Sequence, residues 1–243
     1  MIAKSSLKGT ALVTGGARRI GRGICLKLSK LGFKIALHYN QSQSDAQRVA
    51  KEIRKKGGVC ELFHCNLLEE GKACGLIEDV RDEFHHLDVL INNASIFKPS
   101  SLRTASCESF NNQFSINLKA PFILTRDFAQ HNKRGHIINI LDTNIVQNKT
   151  HYFVYLLTKK ALYELTKLSA LELAPGIRVN AIAPGLILPP FKKNENYLNY
   201  LTSKVPLKKR GQITQITQAI EFLLNTTYLT GQILYVDGGQ HLI

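Results

Sequence analysis

Tyr155 and Lys159, in the run YLLTK, stand four residues apart. On a helix that spacing puts a phenol and an ammonium on one face. A nearby cation favours the phenolate and draws the tyrosine pKa toward neutrality, as a proton-transferring acid requires. The pattern alone is common on protein surfaces, so it gains meaning only beside a cofactor site. The run TGGARRIG over 14–21 offers one: it follows the apolar Ala11-Leu12-Val13 and precedes a helical pattern. Gly15 and Gly21 permit close backbone approach, and the following helix N-terminus presents free N–H groups and the positive end of its dipole to a pyrophosphate. Where a third glycine is expected the chain carries Arg19, between Arg18 and Ile20, and all three are expected to contact the cofactor.

The end of the next strand should lie near the adenosine ribose. A site for NAD places an acid there, whereas a site for NADP removes it and supplies cations. The segment ALHYNQS over 36–42 holds no acid before Asp45 and offers His38, Tyr39 and Ser42, with Arg18 near by across the loop. The expected cofactor is therefore NADP(H). Arg18 is expected to face the 2′-phosphate, and Arg19 to reach over the pyrophosphate toward whatever binds beside the nicotinamide.

These groups need a frame that sets them at one end of a sheet. Short β-rich runs at Thr10–Thr14, Phe33–Tyr39, Val59–Cys65, Asp88–Asn92, His136–Leu141, Arg178–Ile182 and Gln232–Val236 alternate with amphipathic segments near 19–31, 43–56, 69–85, 106–130, 151–174 and 212–224. Such alternation implies right-handed βαβ units. The expected fold is α/β, a single-domain, doubly wound, Rossmann-type parallel sheet with helices on both faces, spanning 1–243. Gly32 is placed to end the first helix as a left-handed cap. The interval 186–204 carries a Pro-Pro break and aromatics without a strand signal, and is a candidate lid over the substrate.

Composition narrows the partners. A chain of 243 residues, 44% hydrophobic, can bury one full core. No run reaches the ~20 apolar residues that span a bilayer, and the start lacks a signal-peptide core, so a cytoplasmic protein without a membrane partner is expected. The five cysteines are odd in number and form no C-x-x-C pair, which reads as reduced thiols. His64-Cys65 and His85-His86 have no second pair at ligand spacing, so no metal is expected. The net charge of +14 is spread over separate clusters at 54–56, 192–193 and 208–210 without interleaved aromatics. It reads as solvated lysine and arginine rather than a nucleic-acid groove.

Taken in order, Thr14-Gly15 to Gly21, NNAS over 92–95, Asn117, Tyr155 with Lys159, Pro184-Gly185 and DGG over 237–239 resemble the short-chain dehydrogenase/reductase family along nearly the whole chain. The resemblance implies that Tyr155 is the acid/base, that Lys159 lowers its pKa and holds the nicotinamide ribose, and that Asn117 supports a water-linked proton relay. It also implies cofactor contacts from Asn66, Asn93, Ala94, Ser95, Pro184 and Gly185, and a homotetramer packed through the helices near 106–130 and 151–174. The family's usual serine, thirteen residues before the tyrosine, is here Asp142. That aspartate, Arg19, the strand end HYNQS and NNASIF over 92–97 resemble the pteridine reductase branch, more specifically its bacterial dihydromonapterin and dihydrofolate reductases.

In that branch Phe97 would stack on a pterin, with Arg19, Ser95, Asp142, Tyr155 and Leu186 around it. A pterin C=N bond takes hydride at carbon and a proton at nitrogen, and a carboxylate beside the tyrosine can pass that proton or hold the ring N–H groups. Two departures stand out. Gln41 replaces an arginine that grips the 2′-phosphate, and Asn66 replaces an aspartate that takes the adenine amino group, a role its carbonyl can still fill. The expected activity is NADPH-dependent reduction of a dihydropteridine such as dihydromonapterin, dihydrobiopterin or dihydrofolate. The alternatives are a carbonyl reductase such as a 3-oxoacyl-carrier-protein reductase, which the positive charge would suit, and a non-catalytic NADP-sensing or nucleic-acid-binding protein.

Overall fold

The strand β1 (Gly9–Val13) is buried along its whole length, as a central strand covered on both faces must be. The computed structural model describes residues 8–188 and 195–243. In chain order β1 is followed by α1 (Arg19–Lys30), β2 (Phe33–Tyr39), α2 (Gln43–Lys55), β3 (Cys60–His64), α3 (Glu70–Phe84) and β4 (Val89–Asn92). Then come α4 (Cys107–Phe114), α5 (Ala120–His131), β5 (Gly135–Ile140), α6 (Phe153–Glu172), β6 (Ile177–Pro184), α7 (Glu195–Lys204), α8 (Ile213–Asn225) and β7 (Ile233–Val236). All seven strands pair in parallel in the order β3-β2-β1-β4-β5-β6-β7. The expected doubly wound α/β sheet is the fold observed.

Side chains alternate across the sheet with the two-residue period of a strand. Ala11 and Val13 face one core, with Ile24 and Leu28 of α1, Val49 and Ile53 of α2, and Ile216 and Ile220 of α8. Leu12 and Leu90 face the other, with Leu76 and Val80 of α3 and Leu124 and Phe128 of α5. The strand order reverses between β1 and β4, and there the carboxyl ends of neighbouring strands open a crevice for a ligand. Gly32 adopts φ +94° between α1 and β2, as expected of a left-handed cap.

Two segments differ from the sequence expectation. The helix expected over 106–130 is broken by a π-helical turn at Ser115–Lys119. Pro121, at the start of α5, has no N–H to offer the carbonyl of Asn117 four residues back, so the α-helical ladder cannot run through. Within the interval 186–204, Glu195–Lys204 forms α7, while residues 189–194 of the expected lid lie outside the described residues.

Two buried histidines set a pH limit on the fold. His136 on β5 lies 2.9 Å from Arg178 Nη2 and 3.0 Å from Asn180 Nδ2, two donors that leave no room for a second ring proton. Burial, then the Arg178 charge, pushes His136 down to about 3. Burial likewise pushes His38 down to about 4. Between these values and the ordinary 6.5 the unfolded chain binds protons that the native state refuses, so stability is full above pH 6.5 and is lost as pH falls toward 4. The melting temperature is expected to drop steadily from pH 7 to pH 4.5. A constant value over that range would contradict the neutral assignment of both rings.

Candidate active site

The glycine loop is fastened to the end of β4. Thr14 Oγ1 accepts from the backbone N–H groups of Asn93 at 2.9 Å and Ala94 at 3.0 Å, and Asn93 Nδ2 donates to the Thr14 carbonyl at 2.8 Å. Asn93 and Ala94 therefore hold the loop through their own hydrogen bonds. Arg18, the N-cap residue of α1, makes no side-chain bond to the helix end. Gly15 has φ +62°, and a Cβ on Gly21 would run into the Gly15 carbonyl oxygen and fall 2.6 Å from Asn93 Nδ2. A helix end left open by its N-cap and a cradle that one methyl group would fill fit a dinucleotide pyrophosphate. Gly21→Ala is expected to weaken NADPH binding at least about tenfold and lower the melting temperature, since the Gly15 atoms it displaces are backbone. NADPH fluorescence titration and thermal melting check it.

Arg19 occupies the position of the missing glycine with φ +51°, a conformation that costs a non-glycine residue about 1 kcal/mol or more. Ile20 follows in the first turn of α1 and packs against the core. Arg18 is turned onto Asp45, and Arg48 engages the same carboxylate. Asp45 thus shares this end of the site, although it lies in the first turn of α2, past the strand end where an acid would signal the cofactor. Ser42 precedes α2 without spending its hydroxyl as a cap.

Two cofactor expectations are corrected. His38 does not face a 2′-phosphate: it is 2% exposed, its Nδ1 accepts from Gly15 N–H at 3.0 Å, and its Nε2 lies 2.9 Å from the Cys65 carbonyl. Both ring nitrogens are spent, so it supports the loop from below. The Tyr39 ring packs into the core against β3, with its centroid 5.4 Å from that of His64. The Asn66 carbonyl oxygen accepts from Asn40 Nδ2 and Leu68 N–H, both at 3.2 Å, and its Nδ2 donates to Glu69 at 3.0 Å.

At the other end of the crevice the predicted chemical groups come together. Tyr155 Oη donates to Asp142 Oδ2 at 3.0 Å. The other carboxylate oxygen of Asp142 accepts from Asn144 N–H at 2.8 Å and Asn144 Nδ2 at 2.7 Å, capping a short 3-10 turn over 143–146. Lys159 Nζ donates to the Ile140 carbonyl at 2.8 Å. Burial, then the Asp142 charge and hydrogen bond, hold the Tyr155 phenol well above its usual range. This differs from the expectation of a lowered tyrosine pKa: the charge that bears on the phenol is Asp142, and Lys159 Nζ is bonded to the Ile140 carbonyl, 5.8 Å from the centre of the Tyr155 ring. Burial pulls Lys159 itself down to about 8, against the opposing pull of Asp142. The phenol therefore carries its proton at neutral pH, and a cation drawn close to it would bring its pKa toward the value that proton transfer favours.

Asn117, carried by the π-helical turn, is fully buried. Its oxygen accepts from Ile96 N–H at 2.8 Å and from Ser95 Oγ at 3.1 Å, and its Nδ2 donates to the Ile96 carbonyl at 2.9 Å and Thr158 Oγ1 at 3.1 Å. Thr158 in turn donates to the Tyr155 carbonyl at 2.6 Å. Asn117 thus ties the end of β4 to the helix that carries Tyr155. Phe97 meets Tyr155 edge to face at 4.6 Å, and stacks on Tyr152 at 4.2 Å. One face of Phe97 is therefore already covered, yet the residue is 47% exposed. Tyr152 belongs to no motif that the sequence offers; its place one helical turn before Tyr155 was the available signal. Pro184 ends β6, Gly185 N–H donates to the Val236 carbonyl at 3.1 Å, and the Leu186 carbonyl accepts from Gly211 N–H at 3.0 Å.

The burial that shapes the site also silences the thiols nearest the core. Cys25, Cys60 and Cys65 are all pushed up by burial, Cys60 to about 12 and Cys65 to about 11. Among the described residues no helix is long and apolar enough to cross a membrane.

Comparison with known proteins agrees with this geometry. The family model described as enoyl-(acyl carrier protein) reductase matches residues 15–241. The 3-oxoacyl-[acyl-carrier-protein] reductase FabG of Staphylococcus epidermidis is 32% identical over 241 residues, covering 96% of this chain and 99% of that protein. Among solved structures, the FolM alternative dihydrofolate reductase 1 of Brucella canis, complexed with NADP, is 33% identical with a TM-score of 0.93, over 99% of this chain and 97% of that one. A blue fluorescent protein from a metagenomic library, in complex with NADPH, is 28% identical with a TM-score of 0.90, over 96% of this chain and 98% of that one. With its glycine cradle, its buried tyrosine and lysine, and matches of this length, the chain belongs to the short-chain dehydrogenase/reductase family and is an NADP-dependent oxidoreductase.

Proposed function

We propose that this reductase reduces a dihydropteridine, dihydromonapterin, dihydrobiopterin or dihydrofolate, to its tetrahydro form. The observation that carries the reading is the hydrogen bond from Tyr155 Oη to Asp142. Bound NADPH supplies the hydride. Tyr155, held neutral, donates a proton to the substrate nitrogen, and Asp142 relays a replacement proton or anchors the ring N–H groups. Lys159 holds the nicotinamide ribose, and Asn117 keeps Ser95 and the end of β4 in place. In this reading Arg19 supplies a cation to cofactor phosphate and substrate together, and Phe97 offers its uncovered surface to a flat bicyclic ring. The likeness to the Brucella canis dihydrofolate reductase supports this substrate class.

A second reading, reduction of a 3-oxoacyl group on an acidic carrier protein, is favoured by the FabG relatives and the net charge of +14. It has to explain why the proton-donating tyrosine faces a carboxylate rather than a hydroxyl. Calorimetry on the protein loaded with NADP⁺ separates the two. A pterin is expected to bind one per chain while a 3-oxoacyl thioester does not compete; binding of the thioester alone would reject the pterin reading. We further propose a cytoplasmic homotetramer built through α4, α5 and α6, supported by the exposed apolar side chains of Phe110, Phe122, Leu168 and Leu171 on those helices.

A further inference from the structure

Asp142 is held at Tyr155 by a short segment, and that segment is fastened at a distance in sequence. Thr143, next to Asp142, is 1% exposed and donates its hydroxyl to Asp237 Oδ2. Asp237 is itself buried, 8% exposed, in the turn after β7. Its carboxylate also accepts from Gly239 N–H at 3.0 Å and His241 N–H at 2.7 Å, and its Oδ2 lies 2.9 Å from His241 Nδ1. The His241 ring stacks on Tyr235 of β7, with centroids 4.3 Å apart. At the far end of the 3-10 turn, Gln147 Nε2 donates to the Gln240 carbonyl at 3.0 Å and to the Ile243 carbonyl. The turn over 143–146 is therefore bound at both ends to residues 237–243. Asp237 also abuts the loop after β6, for a Cβ on Gly185 would fall 2.6 Å from its Cα.

A buried carboxylate needs donors to stay ionised. Burial raises the Asp237 pKa, but the bonds from Thr143, His241 and the two backbone N–H groups outweigh it and bring it below the usual value. The clamp is therefore charged and in place near neutral pH.

We propose that Asp237, acting through Thr143, is a positioning residue for the proton-delivering pair Asp142 and Tyr155. It fixes the turn that aims the Asp142 carboxylate at the phenol. The proposal rests on the catalytic role given to Asp142 above. Proton transfer is sensitive to such aim, since a misplacement of about 1 Å can cost on the order of a hundredfold in rate.

The test is Thr143→Val, which keeps the shape and leaves Asp237 three other donors, set beside Thr143→Ser, which restores the hydroxyl. Turnover is measured on whichever of dihydropteridine and 3-oxoacyl thioester the wild type reduces. Thr143→Val is expected to lower kcat about tenfold with the KM for NADPH unchanged, and Thr143→Ser to recover the wild-type rate. In an Asp142→Asn background, Thr143→Val should cost nothing further, because both changes remove one device. Additive losses in that background, or a Thr143→Val protein with wild-type kcat, overturn the proposal while leaving the role of Asp142 standing. An Asp142→Asn protein with undiminished turnover overturns both.

Discussion

Tyr155→Phe is expected to cut kcat by roughly 10²- to 10⁴-fold while NADPH binding stays within about twofold of wild type, the usual range for removing a general acid. The phenylalanine keeps the ring and its edge-to-face contact with Phe97, so the pocket should retain its shape. What goes is the hydroxyl whose hydrogen points at Asp142. Two consequences set the size of the effect. The proton donor is lost from a buried place where water is a poor substitute, and Asp142 loses the hydrogen bond that Tyr155 Oη donates. Steady-state turnover with NADPH fluorescence titration on the same sample reads both quantities. A variant that loses cofactor binding and turnover in equal measure would show that Tyr155 is part of the cofactor wall and not the acid.

Asp142→Ser should lower kcat/KM on a dihydropteridine by about 10²-fold and leave NADPH binding unchanged. Serine is chosen because it can still cap the turn at Asn144, as Asp142 does at 2.8 Å. The fold around the site is thereby kept and only the chemistry is altered. A serine hydroxyl has neither the negative charge that holds the Tyr155 phenol up nor the capacity to carry a second proton to a ring nitrogen. It can donate to a ketone oxygen, so turnover of a 3-oxoacyl thioester should hold or rise in the same variant. A loss shared equally by both substrate classes would mean that Asp142 is a structural cap alone.

The outline of the fold was legible because buried parallel strands read as continuous apolar runs and the helices between them keep a 3.6-residue period. The π-helical turn at Ser115–Lys119 was not, since one extra residue per turn hardly disturbs that period. Pro121 was the available sign: a proline four residues after Asn117 denies its carbonyl a partner. Within the site, spacing paired Tyr155 with Lys159 and the family resemblance singled out Asp142, but neither gave the direction of their bonds. Lys159 turns to Ile140, a backbone carbonyl whose position depends on how β5 lies beside α6. His38 was misread because a polar residue at a strand end looks like a ligand. Its burial follows from packing against Gly15 and Cys65, which no local pattern reveals. The bond from Thr143 to Asp237 joins residues 94 apart in the chain, beyond the reach of any sequence spacing.

The most direct test is NADPH oxidation by the purified protein, followed by absorbance, with a 7,8-dihydropteridine and a 3-oxoacyl thioester supplied separately at equal concentration. The pairing of Tyr155 with Asp142 predicts turnover of the dihydropteridine and little or none of the thioester. Turnover of the thioester alone would contradict the assignment of substrate, and would mean that a carboxylate at position 142 serves carbonyl reduction as well as a hydroxyl does.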